Sequence, residues 1–138
     1  MLVSHEASED LETVAHQAVS SEGWDEELVP DQRGRSRRPD PSCPVEVALL
    51  AISGRWTTLV LRSLMHGDRS YTALKHDLPT LSDKVLTDIL ARLRERGLIH
   101  RTIIRGFPSR AHYGLTPAGH RLRPLLVQLY RTGISLQQ

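Results

Sequence analysis

Cysteine occurs once in the 138 residues, as Cys43, which excludes an intramolecular disulfide and any cysteine-cluster metal site. Aromatic side chains are few, one Phe, two Trp and three Tyr. Lysine is scarcer still: Lys75 and Lys84 stand alone beside many arginines, a bias in keeping with a G+C-rich genome. No apolar run exceeds Val47–Ile52, about a third of what a bilayer-spanning helix needs. The first residues carry neither a base ahead of their carboxylates nor an apolar signal core. No membrane partner and a cytoplasmic location are therefore expected. The seven histidines are scattered without metal-ligand spacing. Neither a Ser-His-Asp set, nor a carboxylate pair, nor a glycine-rich phosphate loop is found, so the chain is read as a non-enzyme without a cofactor.

What is present is an uneven distribution of charge. The formal net charge is only +2. Residues 1–42 nevertheless hold ten carboxylates against four arginines, and residues 43–138 hold fourteen bases against six acids. A basic domain suits a polyanion, because each neutralised phosphate releases counterions. A solvated basic surface would have the same composition. Residues 1–41 read as an acidic, largely flexible arm punctuated by Gly and Pro and closed by the basic run 33–38. Within it Leu11, Val14, Ala15, Ala18 and Val19 share one face of a possible short helix over 8–20, capped by Ser8.

Residues 42–138 read as one ordered domain. Pro44, following Ser42-Cys43, opens a helix with Val47, Leu50 and Ala51 on its apolar face and a stop at Ser53-Gly54. A second helix from near Trp56 is expected to turn Leu59, Val60, Ser63 and Leu64 inward and to end at Gly67. Thr72 is placed to cap a short helix, Ala73 to Asp77, which Pro79 prevents from continuing. Ser82 then caps a longer one, Asp83 to Arg96, with Gly97 past its end. Leu86, Ile89, Leu90 and Leu93 form its buried stripe; Lys84, Asp88, Ala91 and Glu95 lie opposite, flanked by Thr87 and Arg92. A short helix, a tight turn and a longer helix make a helix-turn-helix, whose second helix enters the major groove of DNA.

Two strands follow, Ile99 to Arg105 and Ala111 to Leu115, with Ile99, Ile103, Tyr113 and Leu115 on the buried side. Gly106 to Arg110 joins them as a hairpin loop. Thr116-Pro117 caps a final helix carrying Leu122, Leu125, Leu126, Leu129 and Tyr130, with Pro124 expected to bend it or loosen one turn. The fold class is thus mainly α with a small β-hairpin wing, a winged helix-turn-helix.

From Cys43 to about Gly133 the residues resemble, without a gap, the HxlR-type winged helix-turn-helix regulators, which are related to MarR-type regulators. The likeness runs through Cys43-Pro44-Val45, Gly54-Arg55-Trp56-Thr57, Gly67 with Arg69-Ser70-Tyr71, Leu78-Pro79, and Ser82 to Leu86-Thr87. It continues through Gly97-Leu98-Ile99, Arg101, Pro108, Arg110, Tyr113, Leu115-Thr116, Gly119, Leu122 and Pro124. Tyr71 stands where Phe is usual, Thr132 replaces a frequent Trp before Gly133, and the acidic arm exceeds the family pattern. The resemblance implies a bacterial, homodimeric transcription factor on double-stranded DNA, with an inverted-repeat operator. Some relatives sense oxidants or electrophiles through a cysteine before this Pro, which makes Cys43 a candidate sensor; its bland role is a small residue at a dimer seam. A small-molecule effector is the other signal to consider.

Ser70, Lys75, Ser82, Asp83, Lys84, Thr87, Asp88 and Arg92 are the expected DNA-facing set on the helices. Arg105 and Arg110, with His112 behind them, are expected at the wing, where a narrow minor groove concentrates negative potential. Leu49, Leu122, Leu125, Leu126 and Leu129 are the expected dimer contacts, and Trp56 is read with them as core or interface. Two rival readings remain. A protein-interaction winged helix without DNA affinity would show a flat salt response. A small-molecule-binding module or enzyme would need a convergent polar pocket.

Overall fold

Residues 23–138 are described by the computed structural model, so the helix expected over 8–20 lies outside the described residues. The chain divides into two units, Met1–Leu50 and Ala51–Gln138. In the first, Asp31 accepts the Arg33 backbone N–H at 2.9 Å and pairs with its guanidinium at 2.6 Å, closing a 3-10 turn over Gln32–Gly34. Those hydrogen bonds hold the Asp31 carboxyl below the ordinary carboxylate value. Asp40 accepts from both the N–H and the hydroxyl of Ser42, and its carbonyl accepts from the Cys43 N–H. This turn launches helix α1, Pro44–Ile52, whose first bond runs from the Val47 N–H to the Cys43 carbonyl at 3.0 Å. Pro44 sits where a missing N–H costs nothing. Val45, Val47, Leu49 and Leu50 are exposed.

The second unit continues from the end of α1 into α2 (Thr57–Leu64), β1 (Arg69–Ser70), α3 (Tyr71–Asp77) and α4 (Asp83–Glu95). After these come β2 (Ile99–Ile104), β3 (Arg110–Leu115), α5 (Pro117–His120) and α6 (Arg123–Gln137). The three strands pair antiparallel in the order β1-β3-β2, with Ile99 opposite Leu115 and Ile103 opposite Ala111. Leu86, Ile89, Leu90 and Leu93 of α4 are buried as expected. They pack with Val60, Leu61, Leu64, Leu74 and Leu81 below and with Leu98, Ile99, Tyr113, Leu115 and Leu122 around the sheet's inner end. Gly97, at φ +70, supplies the left-handed residue that ends α4 and turns the chain into β2. Helices α2, α3 and α4 packed with the three-stranded sheet, whose β2–β3 hairpin is the wing, make this a winged helix-turn-helix. Among the described residues no single helix is long and apolar enough to cross a membrane.

Several local expectations are corrected. On α2 the buried set is Thr57, Val60, Leu61 and Leu64, the i, i+3, i+4, i+7 pattern, while Leu59 and Ser63 are only half-buried. Thr57 can be buried because its hydroxyl donates to the Ser53 carbonyl at 3.1 Å. Trp56 is not core: it takes φ 70 in the turn before α2 and is 45% exposed, with the Arg55 guanidinium 4.6 Å over its ring. The short helix starts earlier than Thr72, at Tyr71, because Ser70 is its cap and accepts the Ala73 N–H at 3.0 Å. Ile103 is 48% exposed, since the hairpin extends beyond the helices that cover Ile99, Tyr113 and Leu115. The final helix is not merely bent: α5 ends at His120, and Pro124 lies in the first turn of the separate α6. Tyr130, placed on the inward stripe by spacing, is exposed.

Candidate nucleic-acid interface

Ser82 is extended at φ -66, ψ 160 and accepts the Val85 N–H at 3.1 Å, which fixes where α4 begins. With the leucine stripe buried, the opposite side of α4 faces outward. Lys84, Thr87, Asp88, Ala91 and Glu95 are all exposed. Lys84 is 83% exposed at its side chain and lies 3.8 Å from Asp88, one turn on. So loose a surface pair contributes little to stability, and it leaves the ammonium free to exchange partners. Val85, an apolar side chain off the leucine stripe, is also exposed on this helix. Spacing alone left it unassigned, although an apolar residue outside the core stripe is a signal in itself, suited to a thymine methyl.

Asp83 and Lys75 are not free reading groups. Asp83 Oδ1 accepts from the Tyr71 hydroxyl at 2.8 Å and lies 3.9 Å from Lys75 Nζ, which also donates to the Leu81 carbonyl. These contacts fasten α3 to the first turn of α4 and set the angle between them. Tyr71 is the element missed from sequence. Its burial raises the phenol above its ordinary value, with Thr87 opposing and Asp83 reinforcing that direction. Ser70 acts as the cap of α3 and, through β1, pairs with His112 on β3. Arg69 grips Asp77 through Nε at 3.0 Å and Nη2 at 2.7 Å, tying β1 to the far end of α3.

Arg92 is half-buried, and its guanidinium lies where a Cβ on Gly54 would stand, 2.9 Å from Nη2. It packs on the turn before α2 rather than joining the outward face of Lys84. Arg96 is a neighbour that spacing did not single out. It donates from Nη1 to the Ser53 carbonyl and from Nη2 to the Ser53 hydroxyl, each at 3.0 Å.

On the hairpin, Arg105 and Arg110 are exposed and form no ion pair among the described residues. Arg101 joins them: it sits opposite Tyr113 in register, yet is exposed and has no ion-pair partner among the described residues. Its charge on a nominally buried strand face marks where the core stops. Phe107 stands fully exposed at the tip. A broad cleft of about 980 Å³ opens between helices and wing, with Tyr71, Thr72 and Thr87 on one wall and Arg101 and Arg110 on the other. His112 is half-buried behind it. Thr87 of α4 and two of the wing cations therefore share one concave surface, while Lys84, Asp88 and Arg105 are exposed outside its lining.

The remaining candidates belong to other elements. Cys43 is half-buried at the start of α1, and Leu49 is exposed on the same helix. In the second unit Leu122 is buried in the core, Leu125 and Leu126 pack against it in part, and Leu129 is 43% exposed.

Residues 51–137 match the HxlR-like helix-turn-helix family. The HTH-type transcriptional regulator YkvN of Bacillus subtilis is 35% identical over 92 residues, 67% of this chain and 78% of that protein. Among solved structures, a MarR-family transcriptional regulator from Porphyromonas gingivalis W83 superposes with a TM-score of 0.65 at 30% identity, over 72% of this chain and 97% of that one. The oxidized redox regulator HypR gives 0.61 at 29% identity, over 67% and 96%. A recognition-type helix beside a cationic wing, within a match that spans the whole second unit but its last residue, places the chain in the HxlR-like helix-turn-helix family of transcriptional regulators.

Proposed function

We propose that the chain is a sequence-specific regulator that binds double-stranded DNA as a homodimer on an inverted repeat. The observation that carries this reading is the shared concave face. Thr87, on the outward side of α4 that also exposes Lys84, faces the hairpin's Arg101 and Arg110 across a single cleft. Such a face matches a duplex, with a helix in the major groove and an arginine-bearing hairpin along the backbone or minor groove. Ser82, Thr87 and Asp88 stand at or on that helix as hydrogen-bonding groups for phosphates and base edges. Asp83, Lys75, Ser70 and Arg92 act through it, by holding α4 in place.

The homodimer is supported by α6. Past Leu122 none of its residues is buried, and Leu129, Ile134 and Leu136 are exposed. A helix that apolar is usually covered. Two α4 helices about 34 Å apart would then enter successive major grooves. Footprinting on the DNA upstream of its own gene should show two protected half-sites about one helical turn apart. Leu129→Glu, at an exposed position, should remain folded yet run as a monomer in light scattering and lose the paired footprint. A dimeric Leu129→Glu protein would remove α6 from the interface, and absence of any footprint would remove the DNA reading.

Cys43 is the position at which an oxidant or electrophile would enter, and HypR, a redox regulator, is among the related folds. Operator binding before and after mild peroxide is expected to change in the wild type and to stay constant in Cys43→Ser. Equal behaviour of the two proteins would leave Cys43 a structural residue.

A further inference from the structure

The hairpin ends in a side chain that the fold does not use. Ile104 and Arg110 make its last pair, residues 105–109 form the loop, and Phe107 is the middle residue of that loop. Phe107 is the one phenylalanine in the chain, yet it is fully exposed, so packing within the fold explains neither its presence nor its place. Ile103 and Ile104, on opposite faces of the outer hairpin by strand alternation, are exposed as well. The surrounding charge is of one sign: positions 99–115 hold three arginines and no carboxylate. An apolar tip set among cations is therefore what the hairpin offers to a partner.

A second copy of the chain suits that tip poorly. Two hairpins meeting end to end would bring their arginines together with no hairpin carboxylate to offset them. A duplex supplies both things the tip lacks. Its phosphates can pair with Arg105 and Arg110, two positions before and three positions after Phe107. Its base pairs carry flat apolar faces on which an aromatic ring stacks. The loop is also on the correct side of the molecule. Pro108, Ser109 and Arg110 line the cleft shared with Thr87, while Phe107 does not, so the ring stands at the rim of that cleft and free of it.

We infer that Phe107 is a wedge that enters the minor groove and partly inserts between two base pairs, with Arg105 and Arg110 on the flanking phosphates. A side chain inserted in this way unstacks the step and kinks the duplex toward the major groove. Unstacking is easiest at TA and CA/TG steps. The ring thus adds a sequence preference at a step that α4 does not touch, read through deformability and not through hydrogen bonds. The wedge rests on the DNA-binding reading and specifies what the hairpin does within it.

The test applies permanganate, which oxidises unstacked thymines, to the footprinted DNA with full-length protein. Energy transfer between dyes on the duplex ends measures the bend. The wild type is expected to make a thymine hyperreactive beside each half-site, at a TA or CA/TG step, and to bend the DNA by at least about 20° per half-site. Phe107→Ala should abolish the hyperreactive thymine and most of the bend. Its operator affinity should fall by no more than about tenfold, because the unstacking is relieved together with the contact. Its salt slope should not change, since no charge is removed. Phe107→Leu, which keeps an apolar wedge, should retain part of both signals. Replacing the flexible step by a stiff A-tract should weaken the wild type by about tenfold and Phe107→Ala much less.

The ring packs on nothing in the fold, so the variants should match the wild type in circular dichroism. A footprint without a hyperreactive thymine, or a bend equal in wild type and Phe107→Ala, would overturn the wedge and leave the DNA reading standing. Assembly beyond the dimer that disappears in Phe107→Ala, with no change in bend, would assign the ring to contacts between copies and overturn the wedge. Absence of any footprint would overturn both.

Discussion

Gly119→Ala is expected to destabilise the second unit by about 3 kcal/mol, the upper end of what over-packing costs. An added Cβ would stand 2.1 Å from the Leu98 carbonyl oxygen and 3.0 Å from a methyl of Leu115. The methyl can rotate away, but the carbonyl is held. It accepts the Thr116 N–H at 3.0 Å, while the Leu98 N–H donates to the Leu93 carbonyl at 3.0 Å. Thr116 is pinned in turn, donating its hydroxyl to the Gly97 carbonyl at 2.6 Å and accepting the Gly119 N–H at 3.2 Å. Relief therefore requires α5 to move off the end of α4, opening the cap of α5 and the first pair of the hairpin together. Urea and thermal unfolding followed by circular dichroism should show the midpoint lowered by about 10 °C or more. A loss below about 1 kcal/mol would mean that α5 shifts freely, and that the α4–β2 junction is less tightly built than these hydrogen bonds imply.

That junction also shows why some of the fold was legible in the sequence and some was not. α4 was readable because three independent local signals agree there: Ser82 as cap, a leucine stripe at helical spacing, and Gly97 as the left-handed stop. Sequence alone does not place the cap of α3, because Ser70 and Thr72 are equally good capping residues. What chooses between them is β1, a two-residue strand whose pairing with β3 exists only in the tertiary structure. Alternation puts Ile103 in the core, because it is blind to how far the covering helices reach. The arginine at position 101 on the same face was the available warning.

The candidate site divides along the same line. Which side of α4 faces out follows from the buried stripe, so Lys84, Thr87 and Asp88 were found by periodicity. Which charged neighbours are already engaged does not follow from period at all. Asp83 and Lys75 lie at positions that suit DNA, yet they are occupied with each other and with Tyr71. Arg92 is drawn inward by a glycine nearly forty positions earlier, a pairing only the folded chain reveals.

Operator affinity should fall by about 10³ between roughly 50 and 200 mM salt. Of the exposed cations on this side, Lys84 on the helix and Arg105 and Arg110 beside the hairpin loop are taken to reach phosphate, while Arg101 lies further back along β2, which gives three per protomer and six per dimer. If all six neutralise phosphates, the slope of log affinity against log salt is about −5. The hairpin carries most of that. Arg105 and Arg110 have no ion-pair partner to release among the described residues, so their charge is available to the duplex. Replacing both with alanine removes four cations per dimer, which should bring the slope to about −2 and reduce the fall over the same range to about tenfold. Neither side chain is buried, so the variant should fold and dimerise normally, and circular dichroism with light scattering checks this. Lys84→Ala separates reading from anchoring. Loss of a base contact would cost about 10- to 100-fold on the operator alone and relax sequence preference, leaving the slope nearly unchanged. Loss of a phosphate contact would weaken all duplexes alike and flatten the slope by about two per dimer. Fluorescence anisotropy with operator and scrambled duplexes at four salt concentrations distinguishes these outcomes. A wild-type slope near zero, or an unchanged slope in Arg105→Ala/Arg110→Ala, would mean that the concave face does not meet DNA.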